Sequence, residues 1–105
     1  MKEIFKDIPL NKNESKKCFE IEVDGHYAFI NFGERGNQIA LVHTEAEPEL
    51  LGTGAASAVV EKTLHWIEQN DKTLLPFCPY VFKYIQKHPE WKRVVDTQFK
   101  SYDKL

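Results

Sequence analysis

The sequence predicts an α/β fold in which an antiparallel meander leads into a βαβ unit and a short C-terminal helix. Three observations predict it: alternating apolar segments meet at an Asp-Gly turn, one long segment has apolar residues at helical spacing, and a short apolar run follows that segment. A chain of 105 residues has room for one hydrophobic core. We therefore expect a single domain over residues 1–105.

The first alternating segment covers residues 18–23 (CFEIEV). Its Phe, Ile and Val side chains face one way and its two Glu side chains the other, which is typical of a half-buried strand. Asp24-Gly25 follows, and this dipeptide favours a two-residue hairpin turn. Residues 26–32 (HYAFINF) then form the partner strand.

A second turn and a third strand extend this hairpin into a meander. The pattern indicates a turn over residues 33–37 (GERGN) and a strand over residues 38–44 (QIALVHT). Residues 9–17 (PLNKNESKK) precede the meander, and we interpret them as a polar turn or tail.

One long helix follows the meander. In the segment AASAVVEKTLHWIEQND, small and apolar residues recur at helical spacing, and we expect Asn70 and Asp71 to end the helix. The next run, residues 73–78 (TLLPFC), is suited to a buried strand, which Pro76 keeps short or bent because proline donates no ladder hydrogen bond. The strands on either side of the helix would run parallel.

A short helix closes the predicted fold. Pro79 can open it, residues 80–87 (YVFKYIQK) form it, and His88-Pro89 stops it.

Composition and charge exclude several classes of partner. The formal charge is -2 and the basic residues are scattered, so we expect no nucleic-acid partner. No signal peptide is evident, and no run approaches the about 18 apolar residues of a membrane span. Cys18 and Cys78 lie far apart without a CxxC motif, so we expect neither a metal site nor a disulfide framework. These features predict a cytoplasmic protein without a membrane partner.

The segment P-E-L-L-G-T-G-A-A lies between a predicted strand and the long helix. Gly52 and Gly54 lack Cβ atoms, so the turn can tighten and a phosphate can approach the main chain. Free amides in the first turn of the helix, together with the helix dipole, favour a pyrophosphate. Taken alone, a G-x-G before a helix is a weak signal, and ordinary turn chemistry explains it as well. The segment is not a Walker loop, and Ser57 occupies the third place of a dinucleotide fingerprint.

Five short motifs that include and surround this turn follow one another in a characteristic order and with characteristic spacings. They are His43-Thr44-Glu45, Pro48-Glu49-Leu50, Gly52-Thr53-Gly54-Ala55-Ala56, Pro76-Phe77-Cys78-Pro79-Tyr80-Val81 and His88-Pro89-Glu90-Trp91. This order resembles the small single-domain GNAT-like N-acetyltransferases, whose patterns include H-T-E-V-P-x-E-L-R-G-x-G-x-A, P-x-C-x-Y-V and H-P-E-W/Y. The resemblance covers about residues 18–95 and implies a minimal GNAT-like fold.

The resemblance implies that acetyl-CoA is the co-substrate and that an unidentified amine or a protein is the acetyl acceptor. Two departures from the broader GNAT pattern matter: Glu49 replaces the usual Gln or Arg, and Leu51 stands where an Arg commonly precedes the first glycine. The second departure removes a cation that could reach a phosphate. The implied cofactor-binding residues are Thr44, Glu45, Gly52, Thr53, Gly54, Ala55, Ala56 and Tyr80.

The resemblance places Cys78 and His43 at the reacting end as candidate catalytic residues. Direct transfer needs a base for the attacking amine, and a thiolate route needs a cysteine activated by a neighbour, so either mechanism could use this pair. The alternatives are an inert buried thiol and a structural histidine. Glu45 is a second possible base, and Tyr80 either protonates the departing thiolate or packs. We expect no role for Cys18.

Two other functions fit the same residues. A non-catalytic acyl-CoA-binding protein would use the same glycine turn without depending on Cys78. In a protein-interaction module, the glycine segment would be only a turn.

Overall fold

The computed structural model describes all residues from 1 to 105, and five strands in it form one sheet. The strands lie side by side in chain order, namely β1 (Asn11–Asn13), β2 (Cys18–Val23), β3 (His26–Arg35), β4 (Gln38–Ala46) and β5 (Thr73–Pro76). The α-helices are α1 (Glu3–Lys6), α2 (Ala55–Gln69) and α3 (Pro79–Lys87). Three short 3-10 helices cover Pro48–Leu50, Pro89–Val94 and Tyr102–Lys104.

The predicted α/β architecture is confirmed. Strands β2, β3 and β4 form an antiparallel meander, and β5 pairs with β4 in parallel after the chain has crossed over through α2. A parallel neighbour requires a long connection, and α2 supplies it. The final helix, α3, follows β5 as the sequence indicates.

One face of the sheet, which we call the inner face, is covered by α2 and α3. Alternate strand residues such as Phe19, Ile30 and Leu41 are fully buried there against apolar residues of α2 such as Val59 and Leu64. The hydroxyl of Tyr84 on α3 donates to the Glu61 carboxylate on α2 at 3.1 Å, so the two helices lie next to each other. None of the helices is both long enough and apolar enough to cross a bilayer.

The opposite, outer face of the meander has no helix over it. Apart from the buried Cys18, the side chains of this face are half-buried or exposed, because their positions alternate with those of the core. They belong to Glu20, Glu22, Tyr27, Phe29, Asn31, His43 and Glu45.

Three local predictions were wrong. Residues 11–13 are not a tail but an edge strand, because they pair with residues 18–20 of β2. The second turn is shorter than residues 33–37, since β3 pairs with β4 as far as Arg35 and only Gly36 and Asn37 connect them. Strand β5 ends at Pro76 rather than at residue 78, because the next residues turn toward α3.

A β-bulge in β4 was not predicted. Leu41 pairs with Phe32 and His43 pairs with Asn31, which leaves Val42 as an extra residue on β4. A bulge of this kind bends the strand and changes which side chains face the core. Beyond it, β4 continues to Ala46 without a β5 partner.

The N-terminal segment also joins the core, through helix α1. Phe5 on α1 is completely buried, although this helix has only four residues. Its neighbour Ile4 is 66% exposed. The burial of one side chain therefore holds the N-terminal segment against the domain.

Replacing Phe5 with alanine is expected to lower the free energy of unfolding by about 3 kcal/mol, because a fully buried aromatic side chain would leave a cavity. Ile4→Ala is the matched control and should change it by less than about 0.5 kcal/mol, since the side chain is exposed. Urea denaturation followed by circular dichroism measures both. Equal destabilisation by the two substitutions would contradict the anchoring role of Phe5.

Candidate active site

The site is built around the turn that enters α2, residues 51–54, which we call the glycine loop. Gly52 and Gly54 have φ angles of 77° and 93°. This left-handed region strains residues with a Cβ, so both positions favour glycine. The Thr53 hydroxyl donates to the Leu50 carbonyl at 2.6 Å and steadies the loop from within.

The glycine loop presents free backbone donors. The N–H groups of Gly52, Gly54, Ala56 and Ser57 donate to no other protein atom, and that of Ala55 is 3.3 Å from the Thr53 hydroxyl. These donors lie at the positive end of the helix dipole. The geometry is suited to binding an anion through the main chain.

A cavity of about 350 Å³ lies at the glycine loop. Its wall includes loop residues, the start of α2, Tyr80 from α3 and Lys2 from the N-terminal segment. A second depression of about 290 Å³ shares Ser57 and Tyr80 with it and is also lined by Lys83, Lys87 and His88. The two depressions adjoin at Ser57 and Tyr80, several basic side chains line them, and we call them together the groove.

The reacting end predicted from the sequence lies where β4 and β5 separate. Their last pair is Leu41 with Pro76, and the Cys78 N–H then donates to the Leu41 carbonyl at 2.8 Å. Cys78 is 2% exposed, and its sulfur lies 3.2 Å from the Thr44 hydroxyl oxygen. The structure thus brings Cys78 together with Thr44.

The structure does not bring Cys78 together with His43. The His43 side chain is 60% exposed on the outer face, and its Nε2 lies 3.8 Å from a carboxylate oxygen of Glu45, which is equally exposed. The bulge at Val42 explains this arrangement, because regular alternation from buried Leu41 would have turned His43 inward. The expected contact between the Cys78 thiol and the His43 imidazole is absent, and the thiol contacts the Thr44 hydroxyl instead.

Tyr80 borders the cavity at the glycine loop and lies near Cys78. Its side chain lines both cavities of the groove. Burial, together with the nearby Cys78 sulfur, raises the pKa of Tyr80, while a hydrogen bond with Ser57 acts in the opposite direction. The phenol therefore keeps its proton at neutral pH and can donate a hydrogen bond.

A profile of the GCN5-related N-acetyl-transferase family matches residues 18–94, nearly three quarters of the chain. The chain belongs to this family. No curated protein sequence matches it. The resemblance deduced from the motifs is thereby confirmed at the level of the family, and the mixed sheet is compatible with a minimal fold of GNAT type.

The predicted cofactor residues of this GNAT-family chain do not all lie together. Gly52, Thr53, Gly54, Ala55 and Ala56 form the glycine loop and the start of α2. Tyr80 lines the cavity at this loop, Thr44 lies beside Cys78, and Glu45 lies apart on the outer face.

Two features of the GNAT-family domain were not predicted from the sequence. Lys2 lines the cavity at the glycine loop, and nothing in the sequence signals this because 51 positions separate it from Thr53. His26, Glu47 and Glu49 bring possible metal-ligand atoms within 4.8 Å of one another, although these side chains are half-buried or exposed. His26 Nδ1 lies 3.4 Å from a carboxylate oxygen of Glu47 and 3.6 Å from one of Glu49.

The outer face of the GNAT-family sheet has its own depression, of about 380 Å³, which reaches Cys18, Glu20, Tyr27, Phe29 and Glu47 among other residues. Burial, and then the adjacent Glu20 carboxylate, raise the pKa of the Cys18 thiol. Cys18 therefore stays protonated, which disfavours a nucleophilic role.

Gly54→Ala is expected to lower the free energy of unfolding by about 1–2 kcal/mol, because alanine at a φ of 93° is strained. Gly33→Ala is the matched control: Gly33 lies in β3 without a positive φ, and an added Cβ there meets no atom within 4 Å. The control should be neutral or slightly stabilising. Thermal unfolding measures the stability of both variants. If Gly54→Ala were as stable as the wild type, alanine would not be strained at this position.

Proposed function

We propose that this chain transfers an acetyl group from acetyl-CoA to an amine. The observation that carries the proposal is the set of unpartnered N–H groups at Gly52, Gly54, Ala56 and Ser57. They lie at the start of α2 in a chain of the GCN5-related family. A loop of this kind suits the pyrophosphate of CoA.

In the proposed complex, main-chain amides hold the pyrophosphate and the helix dipole adds favourable charge. Leu51 contributes no charge, and its side chain is 69% exposed at the mouth of the loop. The adjoining depression with Lys83 and Lys87 is the proposed place for the 3′-phosphate of the adenosine. Ammonium groups attract such a phosphate as point charges.

The pantetheine arm is proposed to enter between β4 and β5. Residues 42–46 of β4 have no neighbour on the β5 side, so an extended chain with amide groups can pair with that edge as an added strand. Such an arm, leading away from the glycine loop, brings its thioester toward Cys78 and Thr44, which lie where the strands separate.

The reaction consists of one acyl exchange. The lone pair of a neutral amine attacks the thioester carbonyl carbon, the carbon–sulfur bond breaks, and the sulfur leaves as the thiolate of CoA. The amine nitrogen loses one proton to a base, and the thiolate gains one. Products are an amide and free CoA, so atoms and charge balance without a further reactant.

The arrangement of side chains favours direct transfer over an acetylated cysteine. The Cys78 thiol has a hydroxyl rather than an imidazole as its partner, so no base contacts it. In our proposal Cys78 and Thr44 contact the acyl group, and Tyr80 stabilises the leaving sulfur by a hydrogen bond. His43, on the outer face beside Glu45, is the proposed base for an amine that approaches from that side.

Isothermal titration with CoA and a thiol-release assay on a panel of amines and lysine-containing peptides test the proposal together. We expect CoA to bind and at least one acceptor to be acetylated. Binding without turnover on any acceptor would indicate a non-catalytic acyl-CoA-binding protein. Failure to bind CoA at millimolar concentration would indicate an interaction module with an ordinary turn.

Cys78→Ala and His43→Ala are expected to slow acetyl transfer while CoA affinity stays within about twofold. For His43 the loss should reach about 100-fold, which is the lower end for removing a general base. Cys18→Ala and His65→Ala are the matched controls, since one removes the other buried thiol and the other an exposed imidazole on α2. Initial rates by thiol release measure all four variants.

Unchanged rates in Cys78→Ala and His43→Ala would contradict the assigned roles. Mass spectrometry of wild-type protein incubated with acetyl-CoA distinguishes the two routes. We expect no acetyl group on Cys78, and a stoichiometric acetyl-Cys78 that an amine discharges would overturn direct transfer.

A further inference from the structure

We propose that Lys2 contacts the pyrophosphate of acetyl-CoA and supplies the positive charge that Leu51 does not. This inference rests on the proposed function. Lys2 lies outside residues 18–94, the part of the chain that the family profile matches, so the family pattern does not contain it.

The ammonium group of Lys2 lies against the glycine loop. Its Nζ donates a hydrogen bond to the Thr53 carbonyl at 2.8 Å. A Cβ placed on Gly54 would lie 3.5 to 3.7 Å from the last three atoms of the Lys2 side chain. The charge therefore lies beside Gly54, in the wall of the same cavity that Gly52, Gly54 and Ala56 line.

The charge of Lys2 is not neutralised within the protein. An ammonium group has three donors, and the Thr53 carbonyl uses one of them. No carboxylate forms an ion pair with Lys2, whereas Lys6 on α1 pairs with Glu3 at 2.7 Å. Two donors and one full charge remain for a ligand.

The segment that carries Lys2 is held on both sides. The Met1 amino group lies 3.7 Å from a Glu61 carboxylate oxygen on α2, and Phe5 is completely buried. The Phe5 N–H also donates to the Lys2 carbonyl at 3.1 Å. Because the backbone is already ordered, binding an anion there loses less conformational entropy than with a free tail.

Gly54 fits the same interpretation. It is the one glycine of the chain where an added Cβ would meet another residue within 4 Å, and that residue is Lys2. The close approach lets a long cationic side chain lie over the loop and hold its end beside the start of α2. A backbone anion site and a side-chain cation then face the same cavity of about 350 Å³.

The test compares the wild type with Lys2→Met, Lys2→Arg and Lys6→Met by titration with CoA and with inorganic pyrophosphate. At about 0.05 M salt, Lys2→Met should bind both probes about 10- to 20-fold more weakly, which is the lower end of the range for one hydrogen bond to a charged group. Lys2→Arg should stay within about threefold of the wild type, because it keeps the cation. Lys6→Met, a control with the same charge change on α1, should match the wild type.

The salt dependence of affinity distinguishes a direct charge contact between Lys2 and the ligand from a structural tie, in which Lys2 only holds the loop in shape. At about 0.5 M salt the gap in binding affinity between wild type and Lys2→Met should narrow severalfold, because screening weakens an exposed charge pair. A gap of the same size at both salt concentrations would overturn the inference in favour of a structural tie. Thermal unfolding of the variants without ligand should be unchanged within about 2 °C, a shift well below that of a 1 kcal/mol loss.

The outcomes also distinguish this inference from the proposed function. Equal CoA affinity in wild type and Lys2→Met, with transfer intact, would overturn the role of Lys2 alone. Affinity that depends on Lys2 in a protein without turnover on any amine would keep the role of Lys2 and remove acetyl transfer. No binding of either probe by the wild type would overturn both.

Discussion

The structure depends on the short parallel pairing of β4 with β5. Four residue pairs join these strands, the last being Leu41 with Pro76, and proline cannot donate the next ladder hydrogen bond. The bulge at Val42 bends β4 at the same level. Together they open the sheet, while the Cys78 N–H still bonds to the Leu41 carbonyl and fixes where the opening begins. The N-terminus of α2, the helix between the two strands, lies close to that opening.

Most of the fold could be predicted because its elements are local and periodic. The strands around Asp24-Gly25 alternate regularly, and the apolar positions of α2 recur over fifteen residues. The short elements α1 and β1 carry no such period. One forms because Phe5 is buried by distant residues, and the other because polar residues 11–13 find backbone partners in β2. Their stability comes from tertiary contacts, which composition alone does not reveal.

The candidate site was predictable to a different extent in each part. The glycine loop has a sequence signal, because positive φ angles at Gly52 and Gly54 require that residue type. The sequence carries no signal that Thr44, rather than His43, is the partner of Cys78. A single extra residue in β4 exchanges the faces of His43 and Thr44, and only the register of β3 against β4 reveals this exchange. Lys2 depends on a contact across 51 positions.

The uncovered outer face bears on how such a catalyst would choose its substrates. With no helix over the meander, His43 and Glu45 are exposed, and bulk water reaches the same side of the sheet. An enclosed pocket sorts acceptors by size and keeps hydrolysis away from a reactive thioester. Here neither barrier is built in. A bulky acceptor would itself form the missing wall, so each encounter would complete the reaction chamber.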